Sequence, residues 1–335
     1  MGLTMGRGHE TAPVTVTVAV VMPAYNAASF LSHAIQSVLT QTLTDLQLVI
    51  VDDGSTDDTA RIARSVQDDR VVVLTGPNRG PSYARNAGMA AAHPSTYLAF
   101  IDADDAWDET KLRKQTAFLD AHPEVLAAGC FMRYVSSTGR ALGQTGQVIT
   151  AECLTRIARG ELFPFPMPSL MVRRSVIPRV GGFDEFLGQN GSEDLDWYAR
   201  LARLGPMACV PEVLGSYRIH AGSAMATRRR DVNRAARFVR QRLIARDQGR
   251  ELSWEEFVTA HPATWHERRQ DWVERLYRAA ALSGCDGRYA HAFACGGLAA
   301  LIKPGYTFRR LYRQLAPPSP PNDADGELHH ERTTS

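Results

Sequence analysis

Two aspartates, Asp102 and Asp104, follow the apolar segment Tyr97–Ile101 and belong to the acidic run DADD. Residues i and i+2 of an extended segment point to the same side of the chain, so we expect both carboxylates to face one point. Hard oxygen ligands suit Mg²⁺ or Mn²⁺, which proteins hold with a few carboxylates and the phosphates of a substrate. An isolated D-x-D is more often a solvated acidic turn. The apolar strand before it and two other polar loops favour a cation site here.

A second acidic run, DDGSTDDT, begins at Asp52 and Asp53, directly after the apolar residues Leu46–Val51. A carboxylate in this place can accept hydrogen bonds from a nucleobase N–H or from ribose hydroxyls, and we assign that role to Asp53. The residues that follow, Ser55 to Asp58, are suited to capping the next helix. Both roles are compatible with each other.

Two further segments offer contacts to a nucleotide. The turn PAYN contains Pro23, Tyr25 and Asn26, and Tyr25 can stack on a base, although a tyrosine after a strand is more often a packing residue. The segment Arg79–Gly88, RGPSYARNAG, combines glycines, a helix start and two arginines, of which Arg85 is one, and this suits a diphosphate. It matches neither G-x-G-x-x-G nor a Walker A loop, which disfavours a dinucleotide-binding protein or an ATPase.

Glu193 and Asp194 precede the apolar and aromatic helix LDWYARLARLG. A carboxylate at a helix start can serve as a general base or merely as a cap, and spacing alone favours the cap. His220, in YRIHAGSAM, is ambiguous in the same way. A lone histidine is more often structural, but it can also bind a metal or contact a diphosphate.

Residues 14–105 alternate between strand and helix patterns. We predict strands over Val14–Met22, Leu46–Val51, Arg70–Thr75 and Tyr97–Ile101, and helices over Ala28–Thr40, Ala60–Val66 and Pro81–Ala92. Pro23 is expected to end the first strand. This alternation predicts an α/β fold with a mostly parallel sheet, in which ligands bind beyond the carboxyl ends of the strands. The loops PAYN, DDGSTD and DADD should therefore converge on one crevice.

The formal net charge of +2 conceals a strong asymmetry along the 335 residues. Residues 1–227 carry a net charge of −4, residues 228–315 carry +9, and residues 316–335 carry −3. The five cysteines are scattered and form no C-x-x-C pair, which disfavours a disulfide framework or a zinc cluster and favours a reducing cytosol. We expect neither a signal peptide nor a membrane-spanning helix.

Taken together, five segments resemble those of family 2 glycosyltransferases. They are VVMPAYNAASFLSHAIQSVLTQTLTDLQLVIVDDGSTDDT, GPSYARNAG, YLAFIDADDAWDETKL, GSEDLDWYARLARLG and YRIHAGSAM, which occur in the family's order between residues 14 and 225. The resemblance implies a GT-A fold, a nucleotide-sugar donor with UDP as the default nucleotide, a Mn²⁺ or Mg²⁺ ion, and inversion at the anomeric carbon. It further implies a glycan or lipid-linked acceptor in the synthesis of a cell-surface glycan.

The resemblance also distributes roles among the candidate residues. Asp194 becomes the general base, in an S-E-D segment where the family more often has G-E-D. The substrate-binding candidates are Pro23, Tyr25, Asn26, Asp53, Arg85, Asp102 and Glu193. The metal-ligand candidates are Asp102, Asp104 and His220, with Asp104 as the most direct ligand.

Two other functions remain open. IDADDA superficially matches the D-x-D-x-[TV] motif of haloacid-dehalogenase-type phosphatases, but Ala106 stands where that motif needs Thr or Val. A non-catalytic nucleotide-sugar binder or scaffold is the other alternative.

We divide the chain into a disordered segment 1–13, a GT-A catalytic domain 14–227, a basic helical extension 228–315 and a disordered tail 316–335. The catalytic domain consists of a nucleotide-sugar half, 14–105, and an acceptor half, 106–227. The extension includes a helix over Arg228–Arg250 with a candidate buried stripe of Val232, Ala235, Ala236, Val239 and Leu243. This extension either packs on the catalytic domain or binds an anionic membrane surface, and no motif supports nucleic-acid binding. The expected location is cytoplasmic, with peripheral membrane contact as an option.

Overall fold

The computed structural model describes residues 4–5, 15–220 and 229–262, and the helical stretches 272–273, 276–277, 280, 294–298 and 301. Its strands are β1 (Thr4–Met5), β2 (Val16–Ala24), β3 (Leu46–Asp52), β4 (Val71–Thr75), β5 (Ser95–Phe100), β6 (Ala106–Trp107), β7 (Ala127–Ser136), β8 (Ala141–Thr145), β9 (Met171–Arg173) and β10 (Met207–Ile219). Its helices are α1 (Leu31–Leu39), α2 (Thr59–Arg64), α3 (Pro81–Ala91), α4 (Lys111–Ala121), α5 (Ala151–Ala158), α6 (Ile177–Val180), α7 (Glu185–Asn190), α8 (Glu193–Ala202), α9 (Arg229–Asp247) and α10 (Trp254–Ala260).

All ten strands belong to one sheet. Its order is β1-β4-β3-β2-β5-β9-β7-β10-β6, and β8 pairs with β7. Strands β2 to β5 are parallel to their neighbours in that set, as are β7 and β10, whereas β9 runs antiparallel between β5 and β7. The predicted α/β fold with a mostly parallel sheet is therefore confirmed. Separate apolar clusters cover the two faces of the sheet, which is why β3 is buried along its whole length.

We predicted that Pro23 ends the strand that contains Met22. This strand, β2, instead continues through Pro23 to Ala24. Pro23 is opposite Val51 of β3, whereas pairing with β5 on the other side ends at Val21 and Phe100. Proline lacks a backbone donor, and here the strand has a neighbour on one side only, so no ladder hydrogen bond is lost on the open side. This extra length carries Tyr25 to the sheet edge.

The range 1–13, for which we predicted disorder, contains the short strand β1. Thr4 and Met5 pair antiparallel with Thr75 and Leu74 of β4. Strand β4 is the outermost of the parallel strands β2 to β5, so its backbone on that side is available for pairing with β1. The other residues of that range lie outside the described part of the chain, as does the predicted tail 316–335.

Strand β10 was not predicted from the sequence. Its 13 residues include Pro211, Glu212 and Gly215, which interrupt any strand pattern. Two register shifts against β7, one between Val210 and Val213 and the next between Val213 and Ser216, accommodate these residues as irregularities. The strand ends at Ile219, directly before His220.

The predicted basic helix is present as α9 and packs on α7 and α8. Of the predicted stripe, Ala235, Val239 and Leu243 are buried, Ala236 is half-buried, and the side chain of Val232 lies outside the described residues. The apolar cluster that joins α7, α8, α9 and α10 consists of Leu187, Leu195, Ala199, Ala235, Phe238, Val239, Leu243 and Phe257. Within the described residues, no helix has the length and apolar character needed to cross a membrane.

Helix α3 lies directly against the sheet at Gly88, where a Cβ would be 2.4 Å from Val21 Cγ1 and 3.3 Å from Val51 Cγ2. Glycine-to-alanine changes in helices usually stabilise by about 0.5–1 kcal/mol. We expect Gly88→Ala to destabilise instead, by about 1–3 kcal/mol, because the methyl group overpacks this contact. Denaturant unfolding measures the change. Ala90→Ser, on the exposed side of α3, is the control with little effect, and a Gly88→Ala protein as stable as the original would contradict the packing described here.

Candidate active site

The three polar loops converge at one edge of the sheet, as the sequence predicts. Strands β3, β2 and β5 are adjacent, and Ala24 is paired with Asp52. The Asp53 amide donates to the Ala24 carbonyl at 2.9 Å, and the Ile101 amide donates to the Val21 carbonyl at 3.2 Å. The loops that follow these strands therefore begin side by side.

The first two loops are fastened together through Asn26, which has a left-handed backbone with φ of 49°. Its side-chain Oδ1 accepts from the Thr56 amide at 2.8 Å, and its own amide donates to Ser55 Oγ at 3.0 Å. Asparagine tolerates this conformation better than most residues. Asn26 thus holds the loop in place, while Tyr25 beside it is 51% exposed, which leaves its side chain accessible to a base.

Asp53 connects the second loop to the start of α3. Its two carboxylate oxygens accept from the amides of Arg79 and Gly80, each at 2.8 Å. Burial raises the pKa of Asp53, and these two hydrogen bonds oppose that effect. Each oxygen can accept a further bond, so a contact to a nucleobase N–H is compatible with this arrangement.

Arg85 is buried and bridges two carboxylates from distant parts of the chain. Its Nη2 lies 3.0 Å from Asp102 Oδ1, and its Nη1 lies 2.8 Å from Glu193 Oε1. Burial would lower the pKa of Arg85, but the charges of Asp102 and Glu193 outweigh it and raise the pKa. The diphosphate contact of Arg85 stays a prediction. At 6% exposure, Arg85 joins the turn that follows β5 to the start of α8.

Asp194 has a pKa suited to proton transfer near neutral pH. Its Oδ1 accepts from the Leu195 amide at 2.8 Å, and the preceding Ser192 has a left-handed φ of 82° and makes no side-chain cap. Burial raises the pKa of Asp194 to about 7, the Glu193 charge adds to this rise, and Arg85 opposes it. A carboxylate with such a pKa is a typical general base.

The DADD residues form a turn rather than the extended segment that we expected. Strand β5 ends at Phe100, so the i, i+2 geometry of a strand does not apply to Asp102 and Asp104. Asp102 pairs with Arg85, whereas Asp104 Oδ2 lies 2.9 Å from His220 Nε2. The chain therefore brings His220 to Asp104 and gives the two aspartates different partners.

Arg218 is a site residue that sequence reasoning missed. Its amide donates to Asp105 Oδ1 at 2.7 Å and its Nε donates to the Asp104 carbonyl at 2.9 Å, while its guanidinium lies over the Phe30 ring. Asp105, buried beneath the turn, was also missed, and burial raises its pKa well above the ordinary range, with Asp104 and Asp102 adding to the rise. Arg218 lies two residues before His220, in the YRIH segment, and this was the only available signal.

The residues of this turn fit a hard divalent cation that is shared with a bound phosphate group. Asp104 and His220 offer oxygen and nitrogen ligands close together, and the buried Asp105 Oδ2 has no hydrogen-bond partner among the described residues. Within that part of the chain, no three His, Cys, Asp or Glu side chains converge well enough to hold an ion by themselves. Mg²⁺ and Mn²⁺ commonly take only one or two carboxylates and complete their coordination with substrate phosphates.

Comparison with protein families and curated proteins gives a consistent result. Residues 19–180 match the model of the family described as glycosyl transferase family 2. A glycosyltransferase of Nostoc sp. (strain PCC 7120) is 31% identical over 214 residues, which are 62% of this chain and 66% of that protein. The Escherichia coli UDP-Glc:alpha-D-GlcNAc-diphosphoundecaprenol beta-1,3-glucosyltransferase WfaP is 34% identical over 104 residues, 31% of this chain and 41% of that protein. The alignments thus leave a third or more of each relative unmatched.

Solved structures show the same fold at low sequence identity. S. aureus TarS 1-349 in complex with UDP-GlcNAc superimposes with a TM-score of 0.57 and 17% identity, over 88% of this chain and 92% of that chain. The mannosyltransferase PcManGT from Pyrobaculum calidifontis, in complex with GDP-Man and Mn²⁺, gives a TM-score of 0.53 and 20% identity, over 92% of this chain and 88% of that chain. These matches confirm the GT-A architecture that the family resemblance implies.

The raised pKa of Asp194 has a consequence for stability. The pKa of about 7 in the folded protein exceeds the roughly 3.9 of an unfolded aspartate, so the folded state binds more protons between these values and loses stability as the pH rises through that window. Asp194→Asn removes the charge. We expect this variant to gain about 1–3 kcal/mol relative to the original at pH 8, allowing for the partial exposure of the side chain, and about a third of that gain at pH 5.

Thermal unfolding at the two pH values measures this difference. Asp69→Asn, at an exposed position of the α2–β4 loop, is the matched control. If Asp194→Asn changes the stability equally at pH 5 and pH 8, the raised pKa of Asp194 is contradicted.

Proposed function

Residues 19–180 are a domain of glycosyltransferase family 2, and from this premise we propose that the chain transfers a sugar from a nucleotide diphosphate to an acceptor hydroxyl with inversion of the anomeric carbon. The observation that carries the proposal is the position of Asp194. Its carboxylate has a pKa near neutrality and is linked through Glu193 and Arg85 to Asp102, at the end of a strand in the donor crevice. A proton acceptor thus stands beside the place where a donor would bind.

We propose a UDP-sugar as the donor. The exposed ring of Tyr25 can stack on the base, and Asp53 can accept from a base N–H. Support comes from WfaP, which is named for a UDP-Glc donor, and from TarS, which binds UDP-GlcNAc. PcManGT binds GDP-Man, so a guanine nucleotide is the comparison to include in any binding test.

In the proposed reaction, Asp194 removes the proton of the acceptor hydroxyl as that oxygen attacks the anomeric carbon. The new carbon–oxygen bond forms on the face opposite the diphosphate, the bond to the diphosphate oxygen breaks, and its electron pair leaves with the nucleoside diphosphate. The proton ends on Asp194, whose pKa of about 7 lets it both accept and later release a proton at neutral pH. A positioned base of this kind contributes about 10²–10⁴-fold to the rate.

A divalent cation, Mn²⁺ or Mg²⁺, would be held by Asp104 and His220 together with the donor diphosphate. When bound, such an ion neutralises the charge of the departing diphosphate. Asp102 is engaged by Arg85, so we assign it to the link between the donor crevice and Glu193 rather than to direct coordination. Arg218 holds the turn that presents Asp104.

The acceptor that we propose is a sugar attached to a lipid diphosphate, in the synthesis of a cell-surface glycan. WfaP is named for such an acceptor, and this is the support available. Contact of residues 228–315 with an anionic membrane, and a cytoplasmic location, stay predictions. A non-catalytic binder and a phosphatase would both transfer no sugar to an acceptor, so a transfer assay distinguishes the proposed glycosyltransferase from these two alternatives.

The central experiment measures transfer by Asp194→Asn, which keeps the shape of the side chain and removes its basicity. With UDP-glucose or UDP-GlcNAc as donor and a short-chain GlcNAc-diphospholipid as acceptor, we expect kcat to fall about 10²–10⁴-fold while UDP binding by calorimetry stays within twofold. Asp69→Asn serves as the control with unchanged transfer. Transfer by Asp194→Asn at the original rate would refute the assignment of the base.

The cation assignment has a separate test in binding. We expect Mn²⁺ to tighten UDP binding to the original protein and to have no such effect on Asp104→Ala, because that variant removes the nearest carboxylate ligand. Calorimetry with and without EDTA measures both affinities, and Asp58→Ala, on the exposed α2 cap, is the control. If Mn²⁺ tightens UDP binding equally in Asp104→Ala, Asp104 is not a ligand.

A further inference from the structure

One side chain of the basic extension enters the part of the fold that presents Asp194. Arg242 of α9 points its guanidinium at the junction of α7 and α8, where Nη1 lies 2.7 Å from Asp184 Oδ2 and Nη2 lies 2.6 Å from Asp196 Oδ1. The Arg242 side chain is only 12% exposed, and that of Asp196 only 2%. Charge-assisted hydrogen bonds of this length, shielded from water, are the strong kind.

Each of the two carboxylates has a structural task of its own. Asp184 is the N-cap of α7 and accepts from the Leu187 amide at 3.1 Å. Asp196 lies in the first turn of α8, two residues after Asp194, and its second oxygen accepts from Arg200 Nε at 2.8 Å. Arg242 therefore holds the start of α7 and the start of α8 with one rigid group.

The segment between these two carboxylates forms a wall of the candidate site. Helix α7 lies on the start of α3, where a Cβ on Gly188 would be 2.3 Å from Ser82 Oγ. The connection from α7 to α8 contains two successive left-handed residues, Gly191 with φ of 77° and Ser192 with φ of 82°. A serine in that conformation is strained and persists only where its surroundings fix it.

The apolar contacts of α9 place the guanidinium in a defined position. Phe238 and Leu243 of α9 are buried in the cluster that contains Leu187 of α7 and Leu195 of α8. The Phe238 ring lies 5.2 Å from the Arg242 guanidinium carbon. The two acidic partners and this ring leave the arginine little freedom to rearrange.

We propose that Arg242 is a positioning residue for the general base: by bridging Asp184 and Asp196, it fixes the strained junction from which Glu193 and Asp194 extend into the site. The part of this proposal that concerns catalysis rests on the role assigned to Asp194 above. Arginine suits the task because its planar fork bonds both carboxylates at once, whereas a lysine presents a single point charge. The extension would thereby be a working part of the catalytic unit.

The chain provides a matched control at the other end of α8. Arg203, just after α8, pairs with Asp247 at the end of α9, with distances of 2.8 and 3.0 Å. This pair also joins α8 to α9, but it is more exposed and far along the helix from Asp194. Replacing either arginine should therefore weaken the attachment between α8 and α9. Only the replacement of Arg242 should displace the carboxylate of Asp194.

The experiment compares Arg242→Met, Arg242→Lys and Arg203→Met in the full chain. Hydrogen exchange followed by mass spectrometry should show faster exchange in peptides covering residues 184–197 for Arg242→Met, with peptides of α3 unchanged. Activity is measured as the release of UDP from UDP-glucose. For Arg242→Met, we expect kcat to fall about 10- to 100-fold while KM for the donor stays within twofold. Arg242→Lys should recover part of both effects, and Arg203→Met should show neither.

Exchange of residues 184–197 that is unchanged in Arg242→Met, or raised equally in Arg203→Met, would overturn the proposal. In the Asp194→Asn background, we expect Arg242→Met to add no further loss of kcat, because both changes act on one group. If Asp194→Asn alone is fully active, the assignment of the base fails, and the exchange data still decide whether Arg242 holds the junction. If Asp194→Asn is inactive but Arg242→Met lowers kcat without faster exchange, the positioning role fails alone.

Discussion

The bridge that Arg85 makes between Asp102 and Glu193 is the interaction on which the site depends. A guanidinium that is 6% exposed must be compensated, and two carboxylates from loops 91 positions apart in the sequence supply the compensation. One of them follows β5 and the other begins α8. Removal of either partner of such a buried pair typically costs about 3–5 kcal/mol. The position of α8 relative to the end of β5 is therefore set by charge pairing as well as by the apolar core.

The same bridge explains how one carboxylate of an acidic cluster acquires a pKa near neutrality. Glu193 is bonded to Arg85, whereas the neighbouring Asp194 has no cation as a direct partner among the described residues. Burial raises the pKa of Asp194 to about 7, and repulsion from Glu193 adds to this rise. The two neighbouring acids therefore have different environments: Glu193 pairs with Arg85, and Asp194 has a pKa suited to proton transfer, a pattern often found where acid–base chemistry occurs. Arg242 likewise pairs with two carboxylates, one at the start of α7 and one in the first turn of α8.

The sequence was sufficient for the sheet and for the convergence of the loops, because long apolar runs report burial on both faces and parallel strands share one edge. It was insufficient wherever a residue's role depends on a distant partner. Arginine is a residue type that suits a phosphate, and the sequence does not show that Arg85 of α3 pairs with the buried Glu193 and the half-buried Asp102. The hydrogen bond between Arg218 and Asp105 depends on strand β10, which carries Arg218. This strand was not predicted because its proline and glycine interrupt the strand pattern. The burial of α9 was one of several interpretations, and Phe238, absent from the predicted stripe, is part of that contact.

The measurement that tests this account most directly is the titration of the Asp194 carboxyl group itself. Carbon-13 NMR of aspartate-labelled protein, with the signal assigned by its loss in Asp194→Asn, follows the group from pH 4 to pH 9. The account predicts a midpoint near 7, and a lower midpoint when the neighbouring charge is removed in Glu193→Gln. A midpoint near 4, the value of an ordinary exposed aspartate, would contradict it.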